Sequence, residues 1–100
     1  MKTCCPDTRK AHHGAELKKK LANRLKRIEG QVRGIQKMIQ DDVYCDDVLT
    51  QISAVRSALG SVSQELFEAH LNSCIVDQIR SGSPNILDEL KQTIAKMAKT

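Results

Sequence analysis

The sequence predicts an all-α fold, and three observations support that prediction. Aliphatic side chains recur at alternating steps of four and three residues along two long segments, which is the spacing of an amphipathic helix. Neither segment contains proline, since Pro6 and Pro84 are the two prolines of the chain. The chain has 100 residues and two aromatic side chains, Tyr44 and Phe67. A core built from so little would be modest, so we expect a small helical protomer that completes its core by self-association.

Residues 1–15 are expected to form a flexible tail ahead of one helical domain over residues 16–100. The tail contains Cys-Cys-Pro and His-His-Gly and has no apolar periodicity. The chain lacks the run of about 18 apolar residues that a membrane span needs, and its N-terminus lacks the apolar core of a secretory signal. We therefore expect a cytoplasmic protein, whose four cysteines would be metal ligands or redox groups rather than disulfides.

The first helix is predicted from an apolar seam that begins at Leu21 and ends at Ile39, and the pair Asp41-Asp42 ends the helix or turns the chain. Because all its seam positions fall on one side of a helix, this element should pack against another helix. The seam residues are Leu21, Leu25, Ile28, Val32, Ile35 and Ile39.

The second helix is predicted to run from about Asp42 to Arg80 and to carry a heptad-like seam from Val48 to Leu66. Gly60 and Ser61 in its middle are a possible break, but the seam keeps its phase through them.

The third helix is predicted to be short and to follow Ser81-Gly82, which stops the second. Ser83 and Pro84 suit the N-cap and the first helical position. The residues expected to face inward are Ile86, Leu90, Ile94 and Met97.

Positive charge is concentrated near the start of the chain. Residues 9–37 hold ten basic and two acidic side chains and carry a net charge of +8, whereas the rest carries −4. This asymmetry predicts a surface for a polyanion. Nucleic acid is favoured over a membrane, because the apolar face of the helix is aliphatic at core spacing and lacks aromatic anchors. The candidate DNA-binding residues are Lys18, Lys19, Lys20, Arg24, Lys26 and Arg33.

Cys45, His70 and Cys74 are the candidate metal ligands. His70 and Cys74 are four residues apart on the second helix, so their side chains share a face. Two thiolates and an imidazole select Cu(I), zinc or iron–sulfur chemistry and exclude hard cations. Three ligands are one short of a structural zinc site but suffice for trigonal Cu(I). A fourth could come from the tail, which contains Cys4, Cys5, His12 and His13.

One helix cannot bring Cys45 to His70, because 25 residues of α-helix rise by roughly 37 Å. Either the helix folds back near Gly60, or two protomers pair antiparallel and Cys45 of one lies beside His70 and Cys74 of the other. The unbroken seam and the small core favour pairing. A two-fold dimer would then carry two equivalent sites.

Three stretches closely resemble the CsoR/RcnR family of metal-sensing repressors: residues 23–35 (NRLKRIEGQVRGI), 42–49 (DVYCDDVL) and 51–55 (QISAV). With the His-x-x-x-Cys pair, the resemblance covers about residues 16–98 and looks like the copper-sensing branch. It implies an all-helical antiparallel homodimer assembled as a dimer of dimers. It also implies an apo form that binds operator DNA without a helix-turn-helix, a Cu(I) form that releases it, and copper-efflux and copper-chaperone genes as targets.

The resemblance also assigns roles to residues outside the ligand set. Tyr44 and Glu89 match positions beside the family's ligands, and Arg24 is the clearest match to its DNA-contacting patch. A basic position that the family sometimes uses in the middle of the second helix is Gly60-Ser61 here, which puts DNA contact there in doubt.

Several alternatives stay open at this point. Cys74 argues against the nickel/cobalt branch of the family, while His12 and His13 favour it, and His70 argues against the reactive-sulfur branch. The formaldehyde-sensing branch lacks the second Cys, and zinc is a further possible signal. A copper or zinc carrier without a DNA role would leave the +8 segment unexplained. No enzyme is expected, because the chain has no Gly-rich phosphate loop and no nucleophile motif.

Overall fold

The computed structural model describes residues 13–82 and 84–98 of the chain. This part contains four α-helices and no strand, so the predicted all-α class is confirmed. The helices are α1 (Ala15–Gln40), α2 (Cys45–His70), α3 (Val76–Arg80) and α4 (Ile86–Ala98), and a π-helical turn, Leu71–Ile75, joins α2 to α3. The tail residues Cys4, Cys5 and His12 and the predicted N-cap Ser83 lie outside the described residues. No helix in the described ranges is both long and apolar enough to cross a membrane.

Within residues 14–64, α1 packs against α2 through aliphatic side chains. Leu21 and Ile28 of α1 form a buried cluster with Val55 and Val62 of α2. On each helix these residues are seven apart, so they lie in one row along one side. Leu17, Ile35 and Ala58 pack against the cluster.

The predicted seam of each helix consists of two rows of residues. One row belongs to the buried cluster, and the second row is exposed. Its members are between 37% and 60% exposed in the single chain. Both rows repeat every seven residues, and only one of them packs within the chain. The exposed row consists of Leu25, Val32 and Ile39 on α1 and Ile52, Leu59 and Leu66 on α2.

A tight turn connects α1 to α2 and sets where α2 begins. Asp42 has a φ of 57°, in the left-handed region. The Val43 N–H donates to the Met38 carbonyl at 3.0 Å, which is the six-to-one bond of a Schellman motif. Tyr44 is the last residue before the next helix, and its carbonyl accepts from the N–H groups of Asp47 and Val48 at 3.0 and 3.2 Å. The turn thus fixes Cys45 as the first residue of α2.

The second predicted helix differs from the observed one in its last third. An unbroken α-helix to Arg80 was expected, but a π-helical turn follows His70 and α3 resumes at Val76. The Val76 N–H donates to the Leu71 carbonyl, five residues back. Single π-helical turns within α-helices are rare overall, and those that occur are often found at functional sites.

The last helix begins later than predicted. Gly82, with a φ of 77°, ends the preceding helix as expected, but α4 starts at Ile86 and not at Pro84. The Asn85 carbonyl accepts the first helical bond, from the Glu89 N–H at 3.1 Å.

The inward-facing residues predicted for this helix are only partly buried. Ile86 is buried and Leu90 is half-buried, whereas Ile94 and Met97 are exposed in the single chain. The prediction that Ile94 and Met97 face inward is therefore wrong for a single chain.

Candidate functional site

Cys45 occupies the first position of α2, where the turn after α1 places it at the surface. Its thiol is free and exposed. Tyr44, one residue earlier, is 71% exposed. Asp46 and Asp47 follow in the first turn, where their negative charges suit the positive end of the helix dipole. The thiol and the phenol therefore stand at the same exposed helix end and are accessible to another molecule.

His70 and Cys74 lie on consecutive turns of the helical run that ends at Arg80. His70 is the last residue of α2 and is half-buried. Cys74 is in the π-helical turn, in place of the α-helical turn that its four-residue spacing from His70 had predicted. The widened turn therefore contains one of the two residues of the His-x-x-x-Cys pair and immediately follows the other.

The single chain keeps Cys45 and His70, two of the three predicted ligands, far apart. α2 is one continuous α-helix of 26 residues that passes through Gly60, so the alternative in which the helix folds back there is wrong. Cys45 begins this helix and His70 ends it, and a rise of about 1.5 Å per residue separates them by roughly 37 Å. In the described residues, no three side chains of His, Cys, Asp or Glu form a group able to hold a metal ion.

Glu89 lies in the first turn of α4. Its side chain is half-buried. Its N–H and carbonyl are both engaged in the helix end, the carbonyl accepting from the Thr93 hydroxyl at 3.0 Å. These bonds fix the backbone of Glu89 in a regular helix, and its functional role rests on sequence resemblance.

The basic residues singled out by the sequence all lie on α1. Lys18, Lys19, Lys20, Lys26 and Arg33 are exposed, and Arg24 is half-buried. Arg33 pairs with Glu29 at 3.4 Å, with side chains 74% and 63% exposed. A pair so open to solvent contributes little, so it does not withdraw Arg33 from a polyanion. The part of α1 that does not pack against α2 therefore presents positive charge to solvent, and it is called the basic face below.

A cleft of about 260 Å³ between α1 and α2 brings together residues that the sequence analysis did not assign to a site. Arg27, Gln31 and Ser61 line it together with Arg24. The helical spacing of Arg24, Arg27 and Gln31 was visible in the sequence, but the side of α2 that faces them was not. Ile28 and Ala58 complete the lining.

Comparison with known proteins identifies the class. Residues 17–96 match the family model described as metal-sensitive transcriptional repressor. The copper-sensing transcriptional repressor CsoR of Bacillus subtilis is 46% identical over 90 residues, which are 89% of each chain. The copper-sensing transcriptional repressor RicR of Mycobacterium tuberculosis is 47% identical over 89 residues, covering 89% of this chain and 93% of the other.

Two solved structures extend the comparison to the fold. The Cu(I)-bound copper-sensing repressor CsoR of Geobacillus thermodenitrificans superposes with a TM-score of 0.81 at 45% identity, over 97% of this chain and 96% of that one. The nickel-responsive transcriptional regulator InrS gives 0.70 at 36% identity, over 87% and 96%. The chain belongs to the family of metal-sensitive transcriptional repressors.

Proposed function

We propose that this protein is a copper(I)-responsive transcriptional repressor. Its apo form binds operator DNA of copper-efflux and copper-homeostasis genes, and binding of Cu(I) releases the DNA. Residues 16–100 are the sensing and DNA-binding domain, and the protein acts in the cytoplasm. The observation that carries the proposal is the ligand set, Cys45 with His70 and Cys74, on a chain about 46% identical to a copper-sensing repressor over most of its length.

The chemistry of this set suits Cu(I). Thiolate sulfur is a soft donor that selects Cu(I) and zinc over hard cations, and imidazole is a ligand of both metals. When bound, Cu(I) supplies a link between the start of α2 in one chain and the end of α2 in another. The exposed thiol of Cys45 is free to make that link, and His70 stands at the opposite end of the helix.

A second copy of the chain supplies the remaining ligands in this proposal. The exposed row of each long helix repeats every seven residues, and two such rows pack against each other in a helical dimer. If the α2 helices of two protomers run antiparallel, Cys45 of one protomer comes near the partner subunit's His70. The two-fold symmetry of such a homodimer gives two equivalent sites, and two dimers form the homotetramer.

DNA binding uses the basic face of α1. The exposed cations there neutralise phosphates and release counterions, which supplies much of the affinity. Reciprocity requires that the conformation with higher affinity for Cu(I) have lower affinity for DNA. A coupling free energy of about 1–3 kcal/mol, or about 5- to 150-fold in affinity, is ordinary for such a pair of sites.

A gel-shift titration with a copper-efflux promoter tests the proposal. The apo protein should shift the promoter fragment and leave a shuffled fragment of equal length unshifted. Stoichiometric Cu(I) should abolish the shift, whereas Ni(II), Zn(II) and an inorganic polysulfide should not. Release by one of those signals in place of Cu(I) would assign the protein to another branch of the family. Tight Cu(I) binding with no DNA shift would indicate a copper carrier.

Nickel is the second candidate signal, and one specific observation favours it. The nickel-responsive InrS structure covers 87% of this chain with a TM-score of 0.70. The same titration separates the two signals, since Ni(II) and Cu(I) are tested on one DNA fragment.

A further inference from the structure

The π-helical turn Leu71–Ile75 lies where two of the proposed ligands are. His70 immediately precedes the turn, and Cys74 lies within it. The Val76 N–H donates to the Leu71 carbonyl, five residues back, whereas an α-helical N–H donates four residues back. A π-helical turn therefore holds one residue more than an α-helical turn. Each residue after it points in the direction that the preceding residue would have in an unbroken α-helix.

The residues at the end of the turn and in α3 show which side of this segment faces the interior. Ile75 and Gln78 are 3% and 7% exposed, whereas Val76 and Ile79 are 36% and 51% exposed. Asp77 is half-buried, and its Oδ2 is buried without a hydrogen-bond partner in the described part of the chain. The helix thus buries polar atoms while it exposes two apolar side chains, an unfavourable arrangement that needs a reason.

Conversion of the π-helical turn to a regular α-helical turn would make this burial worse. With residues 65–70 held in place, each residue after the turn would rotate by about 100° and take the direction that the next residue has now. Asp77 would take the buried direction of Gln78, and a buried carboxylate without a partner costs far more than a buried amide. Ile75 would take the exposed direction of Val76 and lose its hydrophobic burial. The π-helical form is therefore the better of the two for these side chains.

The end of α3 holds the same register from the other side. The Ser81 N–H donates to the Asp77 carbonyl at 3.0 Å, and the Ser81 hydroxyl donates to the Gln78 carbonyl at 3.1 Å. The Gly82 N–H donates to the Ile79 carbonyl at 3.1 Å, and Gly82 has a φ of 77°. A rotation of α3 would carry these bonds with it and redirect the chain that leads to the last helix.

We propose that Ile75 and Asp77 are positioning residues for the Cu(I) site. An apolar side chain at the first position and a charged one at the second hold the turn in its π-helical form. The turn in turn sets where the Cys74 backbone lies relative to His70. The side-chain pattern alone permits either form, and burial of one side of the segment decides between them. The role in Cu(I) binding rests on the proposed function, whereas control of the turn by these two residues does not.

NMR of the metal-free protein tests the control of the turn. Scalar couplings across hydrogen bonds identify the carbonyl that accepts from each N–H. In the wild type, the amide nitrogen of Val76 should couple to the carbonyl carbon of Leu71. An α-helical turn would instead give a coupling to the carbonyl carbon of Asn72.

The double variant Ile75→Gln/Asp77→Leu should convert the turn to the α-helical form. In that form the new leucine takes the buried direction of Gln78, and the new glutamine takes the exposed direction of Val76. The coupling should therefore move to Asn72. Cu(I) affinity, measured by competition with a chelator, should fall about 10- to 100-fold, as when residues that orient metal ligands are lost.

Two further variants serve as controls. Ile79→Gln/Asp88→Leu makes the same replacements at two exposed positions. Ile75→Val/Asp77→Asn keeps an apolar residue before a polar one and should rescue the wild-type behaviour. Both controls should keep the coupling to Leu71 and the Cu(I) affinity of the wild type, with unchanged circular dichroism.

The possible outcomes separate this inference from the proposed function. A wild-type coupling from Val76 to Asn72, or a double variant that keeps the coupling to Leu71, would show that the two residues do not hold the turn. If the double variant does not fold, Asp77→Leu alone decides, and it should weaken the coupling to Leu71. A variant with a converted turn and wild-type Cu(I) affinity would overturn the positioning role. If the double variant converts the turn and even the wild type binds no Cu(I) tightly, the proposed function is wrong and the control of the turn by Ile75 and Asp77 stands.

Discussion

Asp42 shows how a single residue can set the geometry of the candidate metal site. Among residues 13–82 and 84–98 it is the sole non-glycine residue with a positive φ, at 57°. A residue with a Cβ pays about 1–2 kcal/mol for this conformation, and glycine avoids that cost but loses more entropy on folding. The strain is offset by the turn that starts α2 at Cys45. The chain therefore tolerates a suboptimal residue at the position that orients its exposed thiol.

Asp42→Gly should stabilise the protein by about 0.5–1 kcal/mol, the strain relieved less the extra entropy of glycine. At fixed protein concentration the melting temperature should rise by about 2–8 °C, which thermal unfolding followed by circular dichroism would measure. Asp41→Gly is the control, because Asp41 has a φ of −90° and gains nothing from glycine. Equal effects of the two substitutions would contradict the strain at Asp42.

Tyr44 and Glu89 are predicted to pass information from the metal ligands to the DNA-binding form. Neither is a soft ligand, so Tyr44→Phe or Glu89→Ala should leave Cu(I) affinity nearly intact while reducing the effect of Cu(I) on DNA affinity. Cu(I) competition with a chelator, run alongside DNA titration, measures both quantities. Asp88→Ala, an exposed acidic neighbour of Glu89 in the same helical turn, should change neither. Variants that lose Cu(I) affinity but keep full coupling would rule the relay out.

At the scale of the helices, the apolar spacing predicted much of the fold. The steps of four and three located α1 and the start of α2 and selected the right faces, since Leu21, Ile28, Val55 and Val62 are all buried. The spacing could not tell which of two adjacent rows packs within the chain. Both rows are aliphatic and have the same period, so the spacing alone does not distinguish them.

The π-helical turn and the start of α4 were not predictable in the same way. A π-helical turn changes which carbonyl accepts each backbone N–H, and a pattern of side chains does not specify that register. The helical run through Leu71–Ile75 contains no proline or glycine to indicate a change. For α4, Ser83-Pro84 is a good start signal, but the helix begins two residues after Pro84, at Ile86. Local propensity is a weak prior on such a boundary.

The assignment of the metal ligands stays a prediction, and the structure bears on only part of its geometry. Cys45, His70 and Cys74 were selected by residue type and spacing, and a helix length of roughly 37 Å was enough to separate the first from the other two. The cleft residues Arg27, Gln31 and Ser61 were missed, because recognising a cleft requires knowing which residues of two helices face each other.

The basic face of α1 should make operator binding strongly dependent on salt. The triple variant Arg24→Ala/Lys26→Ala/Arg33→Ala removes three cations from one helix and should weaken binding. It should also lower the salt slope by about 0.9 for each phosphate that the helix no longer neutralises. Fluorescence anisotropy across a range of salt concentrations gives both values.

The matched control for the basic face removes the same charge from elsewhere. Arg56, Lys91 and Lys96 are exposed and lie outside α1. Their triple Ala variant should keep most of the affinity and slope, because release of bound counterions is local to the contact. Equal losses in both triple variants would indicate a general charge effect, and an unchanged α1 variant would remove this helix from the DNA face.

At the scale of the whole molecule, two features of α2 point to a site shared between chains. The helix is continuous, so it holds Cys45 and His70 at opposite ends. It also exposes Ile52, Leu59 and Leu66 in a row that a second copy can cover. Antiparallel pairing through that row buries the apolar surface and brings opposite helix ends together in the same arrangement. Assembly and metal binding are therefore expected to stabilise each other.

A mixed dimer tests the shared site directly. One protomer carries Cys45→Ser and the other Cys74→Ser, and each homodimer alone has no intact site. In the mixed dimer, one site has both substitutions, and the other combines an unchanged Cys45 with an unchanged His70 and Cys74. Tight Cu(I) binding should therefore return at one equivalent per dimer.

The reciprocal control pairs wild type with a Cys45→Ser/Cys74→Ser chain. This control contains the same two substitutions. If the sites are shared between chains, each of its two sites lacks one thiol, so no tight site should remain. Dimers are purified through two affinity tags, titrated with Cu(I) against a chelator, and checked by X-ray absorption for two sulfurs and one nitrogen at the metal. If the control recovers one site and the mixed dimer none, with both folded and dimeric, each chain holds its own metal and antiparallel pairing of α2 does not build the site.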